Sequence, residues 1–230
     1  MGSADMSEEK DLLTPEEVEE IRDEFIERLE LSLTYTVRHY RKRFIVVIGG
    51  APGSGKTTAA NKLAATTDAF HVQSNSAREL LREHHKKWGQ NVRLVIQAVI
   101  KDIIARELSV VLDGMMLEEE ERNIIRELAI EYKAVVLFGA MVCNPELTEQ
   151  RARKRYADNK PSSFEDWRCD RAKFGEYVTS IHTRTKMVDE LLAKESTNPS
   201  ERIWRISNDT TEDDLANRLQ PIWQDISRRL

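Results

Sequence analysis

The chain has 230 residues, of which 40% are hydrophobic and 33% are charged, and its formal net charge is −5 at pH 7. A chain of this length can bury a core of its own, and the negative balance argues against indiscriminate binding to nucleic acid. No apolar run approaches the roughly 20 residues of a membrane-spanning helix. The two cysteines, Cys143 and Cys169, are too few for a disulfide framework, and the polar N-terminus lacks a secretory pattern. We therefore expect a cytoplasmic protein without a membrane partner.

The N-terminal part divides into a tail, residues 1–13, which we predict to be disordered, and an amphipathic helix over residues 14–43. Thr14 as a cap, the proline after it and Glu17 form a helix-start pattern. Apolar residues then recur at spacings of three and four as far as Tyr40, which indicates one apolar face. Because such a face needs a surface to cover it, this helix is a candidate for self-association or for contact with a partner.

From residue 44 onward, short apolar segments alternate with helical ones. The first segment, residues 44–48, is a continuous hydrophobic run that stops at two glycines, as in a strand buried on both faces of a parallel sheet. Five strands separated by helices predict an α/β fold with a doubly wound parallel sheet. The predicted strands are 44–48, 69–73, 109–113, 134–142 and 203–206, and the predicted helices are 56–66, 77–87, 91–107, 118–132, 145–156, 164–194 and one after residue 211.

A phosphate-binding motif, Gly-x-x-x-x-Gly-Lys-Thr, stands between the first strand and the helix that follows it. Its glycines let backbone N–H groups turn inward around phosphate oxygens, Lys56 adds a positive charge at the outer phosphates, and the Thr57 hydroxyl is a magnesium ligand. The positive end of the following helix points at the same anion. The motif therefore predicts binding of ATP with Mg²⁺. The predicted nucleotide-binding residues are Gly50, Ala51, Pro52, Gly53, Ser54, Gly55, Lys56, Thr57 and Thr58.

Asp113, at the end of the third predicted strand, is the candidate carboxylate for holding Mg²⁺ directly or through water. The alternative is a turn-forming Asp-Gly pair without a ligand role. Many motor-type ATPases place a second carboxylate directly after this aspartate to activate water, whereas this chain has Gly114. The sequence therefore favours transfer to an acceptor hydroxyl over ATP hydrolysis for mechanical work.

Arg151 and Arg155 lie four residues apart in the helix predicted after the fourth strand, so they share a helix face. Two guanidinium groups on one face can stabilise the charge that develops on a transferring phosphoryl group. The alternative is a solvated basic face without a catalytic role. We interpret the pair as catalytic because of its place in the predicted sheet.

Together with the phosphate loop, three segments resemble the polynucleotide-kinase-like, AAA_33-type group of P-loop kinases over about residues 44–230. In that group one strand leads to Ser-Asp-x-x-Arg, another ends in Asp followed by small residues, and a lid helix carries Arg-x-x-x-Arg. The resemblance implies a P-loop NTPase domain of the nucleotide-kinase type with five parallel strands, a helical lid and, here, an N-terminal helical extension. The matching stretches are Gln73–Arg78, Val110–Gly114, and Arg151 with Arg155. The catalytic residues that it implies are Lys56, Asn75, Asp113, Arg151 and Arg155.

Asn75 is a departure from the pattern of that group. The group has an aspartate at this position, which accepts the proton of the attacking hydroxyl, and a neutral amide cannot act as a general base. Another group can take this role, the alignment can be shifted, or transfer can rely on positioning and Mg²⁺. Asn75 could still form a hydrogen bond with the acceptor.

These patterns predict an ATP- and Mg²⁺-dependent phosphotransferase whose acceptor is a hydroxyl group of a small metabolite or of a polynucleotide 5′ end. A nucleoside-monophosphate kinase is the first alternative, because Leu112–Gly114 is similar to that family. Those enzymes usually continue with Phe-Pro-Arg, where this chain has Met115–Leu117. A nucleotide-binding regulatory or interaction protein with low turnover is the second alternative, which Asn75 and the amphipathic N-terminal helix favour.

Overall fold

The computed structural model describes residues 12–114, 118–157, 171–195, 203–209 and 212–229. Helices and strands alternate along most of this part of the chain. The helices are α1 Pro15–Ser32, α2 Lys56–Thr66, α3 Ser74–Glu83, α4 Gln90–Ala105, α5 Glu119–Glu131, α6 Pro145–Ala157, α7 Arg171–Glu195 and α8 Glu212–Arg229. The strands are β1 Phe44–Gly50, β2 Phe70–Gln73, β3 Val110–Asp113, β4 Val135–Val142 and β5 Ile203–Ser207.

The five strands form one parallel sheet in the order β2-β3-β1-β4-β5, which confirms the predicted α/β class and the doubly wound topology. In the ladder between β1 and β3, Ile48 pairs with Asp113. On the other side of β1, Gly50 pairs with Met141. The carboxyl ends of the three central strands therefore meet at one edge of the sheet, where ligands bind in folds of this kind.

Helices cover both faces of the sheet, and each face has a hydrophobic core. Every residue of β1 is buried, because its side chains alternate between the two faces. Ile45 and Val47 enter the core that also contains residues of α1, α3, α4, α5 and α7. Val46 and Ile48 enter the core formed with α2 and α8. The continuous hydrophobic run thus forms a central strand, as predicted.

Helix α1 ends at Ser32, so the prediction of one helix as far as residue 43 is wrong. The chain beyond it runs without helical structure, and the phenol groups of Tyr35 and Tyr40 donate hydrogen bonds to backbone carbonyl groups near the α2–β2 turn, at 2.7 and 2.8 Å. Leu33 and Val37 still pack against the first core from this non-helical stretch. The helix-like spacing of apolar residues therefore continues past the end of α1, into a stretch that is not helical.

The apolar face of α1 is covered by the same chain. Phe25 is 1% exposed within the first core. Ion pairs join α1 to its neighbours: Arg28 pairs with Glu83 at the end of α3, and Glu30 pairs with Arg106 directly after α4, each at 2.5 Å. Because this face already lies against α3 and α4, the reason for expecting a partner at the helix is removed.

The predicted disordered tail is partly wrong as well. Leu13 is 7% exposed, and its backbone N–H donates to Oδ1 of the buried Asn91 at 3.0 Å, which fixes this end of the chain. Residues 1–11 lie outside the described residues.

The other predicted elements agree with the observed bounds to within two residues, apart from α3 and α7. Helix α3 begins at Ser74 rather than at residue 77, and ends at Glu83. The predicted start of α7, residues 164–170, lies outside the described residues. In the part of the chain that the structure covers, no helix is long and apolar enough to cross a membrane.

Candidate active site

The phosphate loop connects β1 to α2 and depends on glycine for its shape. Gly53 and Gly55 have φ of 82° and 93°, in the left-handed region that L side chains rarely adopt. Space is restricted too: a Cβ atom at Gly53 would lie 2.9 Å from the carbonyl oxygen of Thr148, and one at Gly55 would lie 2.0 Å from Nδ2 of Asn208. The loop is therefore held tightly between α6 and the segment after β5.

Lys56 lies across the phosphate loop. Its ammonium group donates to the carbonyl oxygen of Ala51 at 3.0 Å, and the N–H of Ser54 donates to the same oxygen at 3.2 Å. The lysine thus places a positive charge beside the backbone that the motif predicts will surround the phosphates.

Thr57 and Asp113 form the candidate magnesium site. The Thr57 hydroxyl donates to Oδ2 of Asp113 at 2.5 Å, and the aspartate is only 5% exposed. Hydroxyl and carboxylate oxygens suit Mg²⁺, which is usually held by one or two carboxylates together with substrate phosphates and water. Across the described ranges, no group of three or more His, Cys, Asp or Glu could hold a metal. The Thr57 hydroxyl and the Asp113 carboxylate fit Mg²⁺ bound together with a nucleotide.

The first turn of α3 lies against the end of β3. The Ser74 hydroxyl donates to the carbonyl oxygen of Asp113 at 3.1 Å. At Gly114, a Cβ atom would lie 2.2 Å from the Ser74 hydroxyl oxygen, so a side chain there would push the two elements apart. Asn75, the next residue of α3, accepts a hydrogen bond on Oδ1 from Arg78 at 2.9 Å. Asn75 therefore lies in the same turn of α3 as Ser74, which contacts the end of β3.

Burial lowers the pKa values of two residues near Asp113, Arg78 and His71. Burial lowers the pKa of Arg78, the positive charge of Arg184 on α7 lowers it further, and the charges of Asp113 and Glu121 oppose this shift. Burial also lowers the pKa of His71, which precedes α3 on β2, again against the charge of Asp113. Asp113 thus provides negative charge to a region where Arg78 and Arg184 bring positive charge.

Arg151 lies on α6, one turn after the residue that touches Gly53. Its Nη1 is 3.4 Å from the carbonyl oxygen of Asn208 and 3.4 Å from the sulfur of Cys143. The structure therefore places Arg151 beside the segment that contacts the phosphate loop. Arg155 lies in the last turn of α6, and its side chain lies outside the described residues.

Asn208 is a contact of the phosphate loop that the sequence analysis missed. Its Nδ2 donates to the carbonyl oxygen of Ser54 at 2.7 Å, and its own backbone N–H donates to Val142 at 2.8 Å. The available signal was its position directly after a parallel strand, on the edge where ligands bind. No motif spans the 154 positions between Asn208 and Ser54.

The chain matches one protein family over this region. The model of the AAA domain family AAA_33 matches residues 45–175, which is more than half of the chain. The chain belongs to this family. None of the curated proteins matches the sequence.

Solved structures similar to this AAA_33 domain include three kinases. Gluconokinase from Sinorhizobium meliloti 1021 has 15% identity and a TM-score of 0.51, over 82% of this chain and 99% of that one. Shikimate kinase from Acinetobacter baumannii in complex with shikimate has 17% identity and a TM-score of 0.51, over 80% and 95%. A sugar kinase from Janibacter sp. HTCC2649 has 17% identity and a TM-score of 0.50, over 80% and 95%. At these identities the similarity establishes the P-loop kinase fold.

The predicted site residues of the AAA_33 domain whose side chains the structure describes lie at one edge of the sheet. The predicted nucleotide-binding residues, Gly50 to Thr58, lie at the end of β1, in the phosphate loop and in the first turn of α2. Asp113 and Asn75 lie on the β3 side of that loop, and Arg151 lies on the β4 side. The Arg151 side chain contacts Asn208, and a contact with the nucleotide stays a prediction.

Proposed function

We propose that this chain binds ATP together with Mg²⁺ and transfers the γ-phosphoryl group to a hydroxyl group of an acceptor. The acceptor is a small metabolite or the 5′ end of a polynucleotide. One observation carries the proposal: the phosphate loop and the first turn of α3 meet at the same strand end. Thr57 contacts the side chain of Asp113, and Ser74 contacts its backbone. A phosphate site and an acceptor site built on one strand end favour direct transfer, which depends on close and oriented reactants.

The residues of the site take distinct roles in this proposal. Backbone N–H groups of the phosphate loop hold the phosphates, and Lys56 adds a positive charge at the outer ones. Thr57 and Asp113 would hold Mg²⁺, which when bound neutralises charge on the phosphate oxygens. Arg151 and Arg155 would donate hydrogen bonds to the transferring phosphoryl group, where negative charge develops.

Asn75 would orient the acceptor hydroxyl rather than remove its proton. The acceptor oxygen forms a bond to the γ-phosphorus, the bond to the bridging oxygen of ADP breaks, and the hydroxyl proton passes to solvent. An amide oxygen is too weakly basic to accept that proton at neutral pH. Transfer remains feasible, because the transition state of phosphoryl transfer is loose and depends mainly on positioning and electrostatic stabilisation. We therefore expect tight nucleotide binding with slow transfer.

The names of similar structures support a kinase: gluconokinase, shikimate kinase and sugar kinase. The regulatory alternative loses part of its basis, because the apolar face of α1 is covered by the same chain. The nucleoside-monophosphate kinase alternative rests on Leu112–Gly114, and the residues that argue against it, 115–117, lie outside the described residues. Phosphate transfer to hydroxyl groups is therefore the function that these observations favour.

The deciding experiment measures ADP formation at saturating Mg²⁺ and ATP, without an acceptor and with three panels of acceptors. The panels are hydroxyl-bearing metabolites, oligonucleotides with a free 5′-hydroxyl, and nucleoside monophosphates. We expect stimulation by a member of the first or second panel. Stimulation by the third panel alone would establish the nucleoside-monophosphate kinase instead, and ATP binding without turnover in any panel would favour the regulatory protein.

Lys56→Ala is the variant that ties any activity to the phosphate loop. It should weaken nucleotide binding or abolish turnover while the fold remains intact, because the side chain lies in a polar loop. Lys101→Ala is the matched control, since Lys101 is an exposed residue of α4 that pairs with Glu131 at 3.5 Å, away from the site. Equal activity in both variants would contradict the assignment of the phosphate loop.

A further inference from the structure

We infer that Asn208 is a positioning residue that fixes the peptide between Ser54 and Gly55 in the orientation needed for phosphate binding. The inference rests on the proposed binding of a nucleoside triphosphate, and it does not depend on the acceptor. Asn208 follows β5 and is 8% exposed. Its side-chain amide contacts the phosphate loop through the 2.7 Å hydrogen bond to the carbonyl oxygen of Ser54.

The direction of this hydrogen bond determines where the next N–H group points. In a planar trans peptide, the carbonyl oxygen and the following amide hydrogen point in opposite directions. No peptide bond among the described residues is cis. Because Asn208 holds the Ser54 carbonyl, the N–H of Gly55 is directed to the opposite side of the peptide. Inward-facing N–H groups of such a loop are the groups that bind phosphate oxygens.

A fixed anchor is needed here because glycine alone does not hold the peptide in one orientation. The glycine at position 55 makes the curve of the loop possible with its φ of 93°. The same freedom would let the neighbouring peptide rotate, and rotation would turn an N–H away from the phosphates and a carbonyl oxygen towards them. The hydrogen bond from Asn208 opposes this rotation.

Asn208 is itself held by three further contacts. Its N–H donates to the carbonyl oxygen of Val142 at 2.8 Å, and its own carbonyl oxygen lies 3.3 Å from the Cys143 sulfur and 3.4 Å from Nη1 of Arg151. The anchor therefore belongs to a framework that joins the ends of β4 and β5 to α6. A buried amide fixed in this way can transmit a defined orientation to the loop.

The test compares Asn208→Leu with Asp209→Ala. Leucine has the same number of side-chain heavy atoms and the same branching as asparagine but no donor, so the bond to Ser54 is lost without opening a large cavity. Asp209 is the matched control: its Oδ1 accepts the N–H of Asn144 at 2.7 Å, which anchors the same segment to β4 without the bond to Ser54. We expect the Kd for ATP with Mg²⁺, measured by titration calorimetry, to rise about tenfold or more in Asn208→Leu, which is the scale of one buried hydrogen bond. Asp209→Ala should stay close to the wild type.

Inorganic tripolyphosphate is the second probe, because it contains the phosphates without the nucleoside. Its Kd should rise by a similar factor in Asn208→Leu. Loss of ATP affinity with unchanged tripolyphosphate affinity would mean that Asn208 acts on the nucleoside, and equal losses in Asp209→Ala would mean a general effect of the segment. Either result, or an unchanged Kd in Asn208→Leu, would overturn the inference.

Two further variants keep the outcome interpretable. If Asn208→Leu does not fold, Asn208→Ser takes its place, because the serine side chain is too short to reach the Ser54 carbonyl. The same losses of affinity for ATP and tripolyphosphate are expected. Lys56→Ala separates this inference from the proposed function. Weak binding in Lys56→Ala with normal binding in Asn208→Leu would refute the positioning role alone, whereas normal binding together with normal turnover in Lys56→Ala would refute the nucleotide site itself.

Discussion

The hydroxyl group of Thr57 lies 2.5 Å from a carboxylate oxygen of Asp113, although the two residues are 56 positions apart in the chain. The parallel ladder between β1 and β3 explains the contact. It pairs Ile48 with Asp113, so the end of β3 lies directly beside the start of the phosphate loop. Two oxygen ligands suited to Mg²⁺ are thus brought together by strand register.

The first prediction concerns Mg²⁺ at this pair. Asp113→Asn keeps the size of the side chain and removes the charge, so it should raise the Mg²⁺ concentration needed for half-maximal turnover by about 10–100-fold. The same substitution at Asp102, an aspartate of α4 that pairs with Arg106, should leave that concentration unchanged. A Mg²⁺ titration of turnover at saturating ATP checks this. An unshifted titration for Asp113→Asn would show that this carboxylate only forms the turn after β3.

The second prediction compares two arginines of α6. Arg151→Ala should lower kcat about 10²-fold, the scale lost with one strong transition-state donor. Arg153→Ala should leave kcat unchanged, because Arg153 forms an ion pair with Glu149 on the exposed side of the helix. Turnover at saturating substrates checks the pair. An effect on the Kd for ATP without an effect on kcat would assign Arg151 to the framework around Asn208 instead of the transferring group.

The parts of the fold and site that were predictable are those with local signals. The buried run of β1, the glycines and lysine of the phosphate loop, and the aspartate at the end of β3 each carry their chemistry within a few neighbouring residues. The end of α1 carried no such signal, because Leu33 and Val37 bury their side chains from a non-helical stretch at nearly helical spacing. The hydrogen bonds that hold this stretch come from Tyr35 and Tyr40, whose partners lie in another part of the chain.

The third prediction tests whether α1 belongs to the core of the domain. Phe25→Ala should lower the free energy of unfolding by about 3–5 kcal/mol, as expected for a large side chain removed from a packed core. Leu31, on the same helix, is 80% exposed. Leu31→Ala should change the free energy of unfolding by less than about 0.5 kcal/mol. Urea unfolding followed by circular dichroism measures both. A loss under about 1 kcal/mol in Phe25→Ala, or a separate early transition, would mean that α1 is an independent appendage.

The fourth prediction concerns the pH dependence of the contact between α1 and α3. The hydrogen bond from His84 lowers the pKa of Glu24 below its ordinary value of 4.5, burial opposes this shift, and the hydrogen bond and charge of Arg28 lower the pKa further. A carboxyl group with a lowered folded pKa binds fewer protons in the folded state than in the unfolded one. Its contribution to stability is therefore present above about pH 4.5 and is lost as the pH falls through the folded pKa.

The corresponding experiment compares the wild type with Glu24→Gln in urea at pH 7 and in steps down to pH 3. The difference between the urea midpoints of the wild type and Glu24→Gln should be present at pH 7 and should shrink below pH 4.5. Glu27→Gln, at an exposed position of the same helix, is the control for the loss of one carboxylate at pH 7. A constant difference across the range would contradict the lowered pKa of Glu24.

Asn208 shows why the rest of the site was not predictable from sequence. An asparagine after a strand has no characteristic neighbours, and its partner, the Ser54 carbonyl, is a backbone group present at every position. The contact exists because β5 lies next to β4 and β4 next to β1, which brings the ends of β5 and β1 to the same edge. Only the assembled sheet defines that proximity.

The last prediction concerns Asn75, where the chain differs from the pattern of the kinases that it resembles. The residue lies in the first turn of α3, next to Ser74, which contacts Asp113. Asn75→Asp would place a carboxylate where those kinases have their general base, and it should raise kcat for transfer to a hydroxyl acceptor by about 10²-fold, a part of what general-base catalysis contributes. The added charge would weaken nucleotide binding, so kcat must be measured at saturating ATP. Asn123→Asp is the matched control, because Asn123 also accepts a hydrogen bond from an arginine three residues later, on the exposed surface of α5. It should leave kcat unchanged. If Asn75→Asp leaves kcat unchanged or reduces it, and the wild type already transfers phosphate rapidly, the base lies elsewhere, and Asp113 becomes the first candidate.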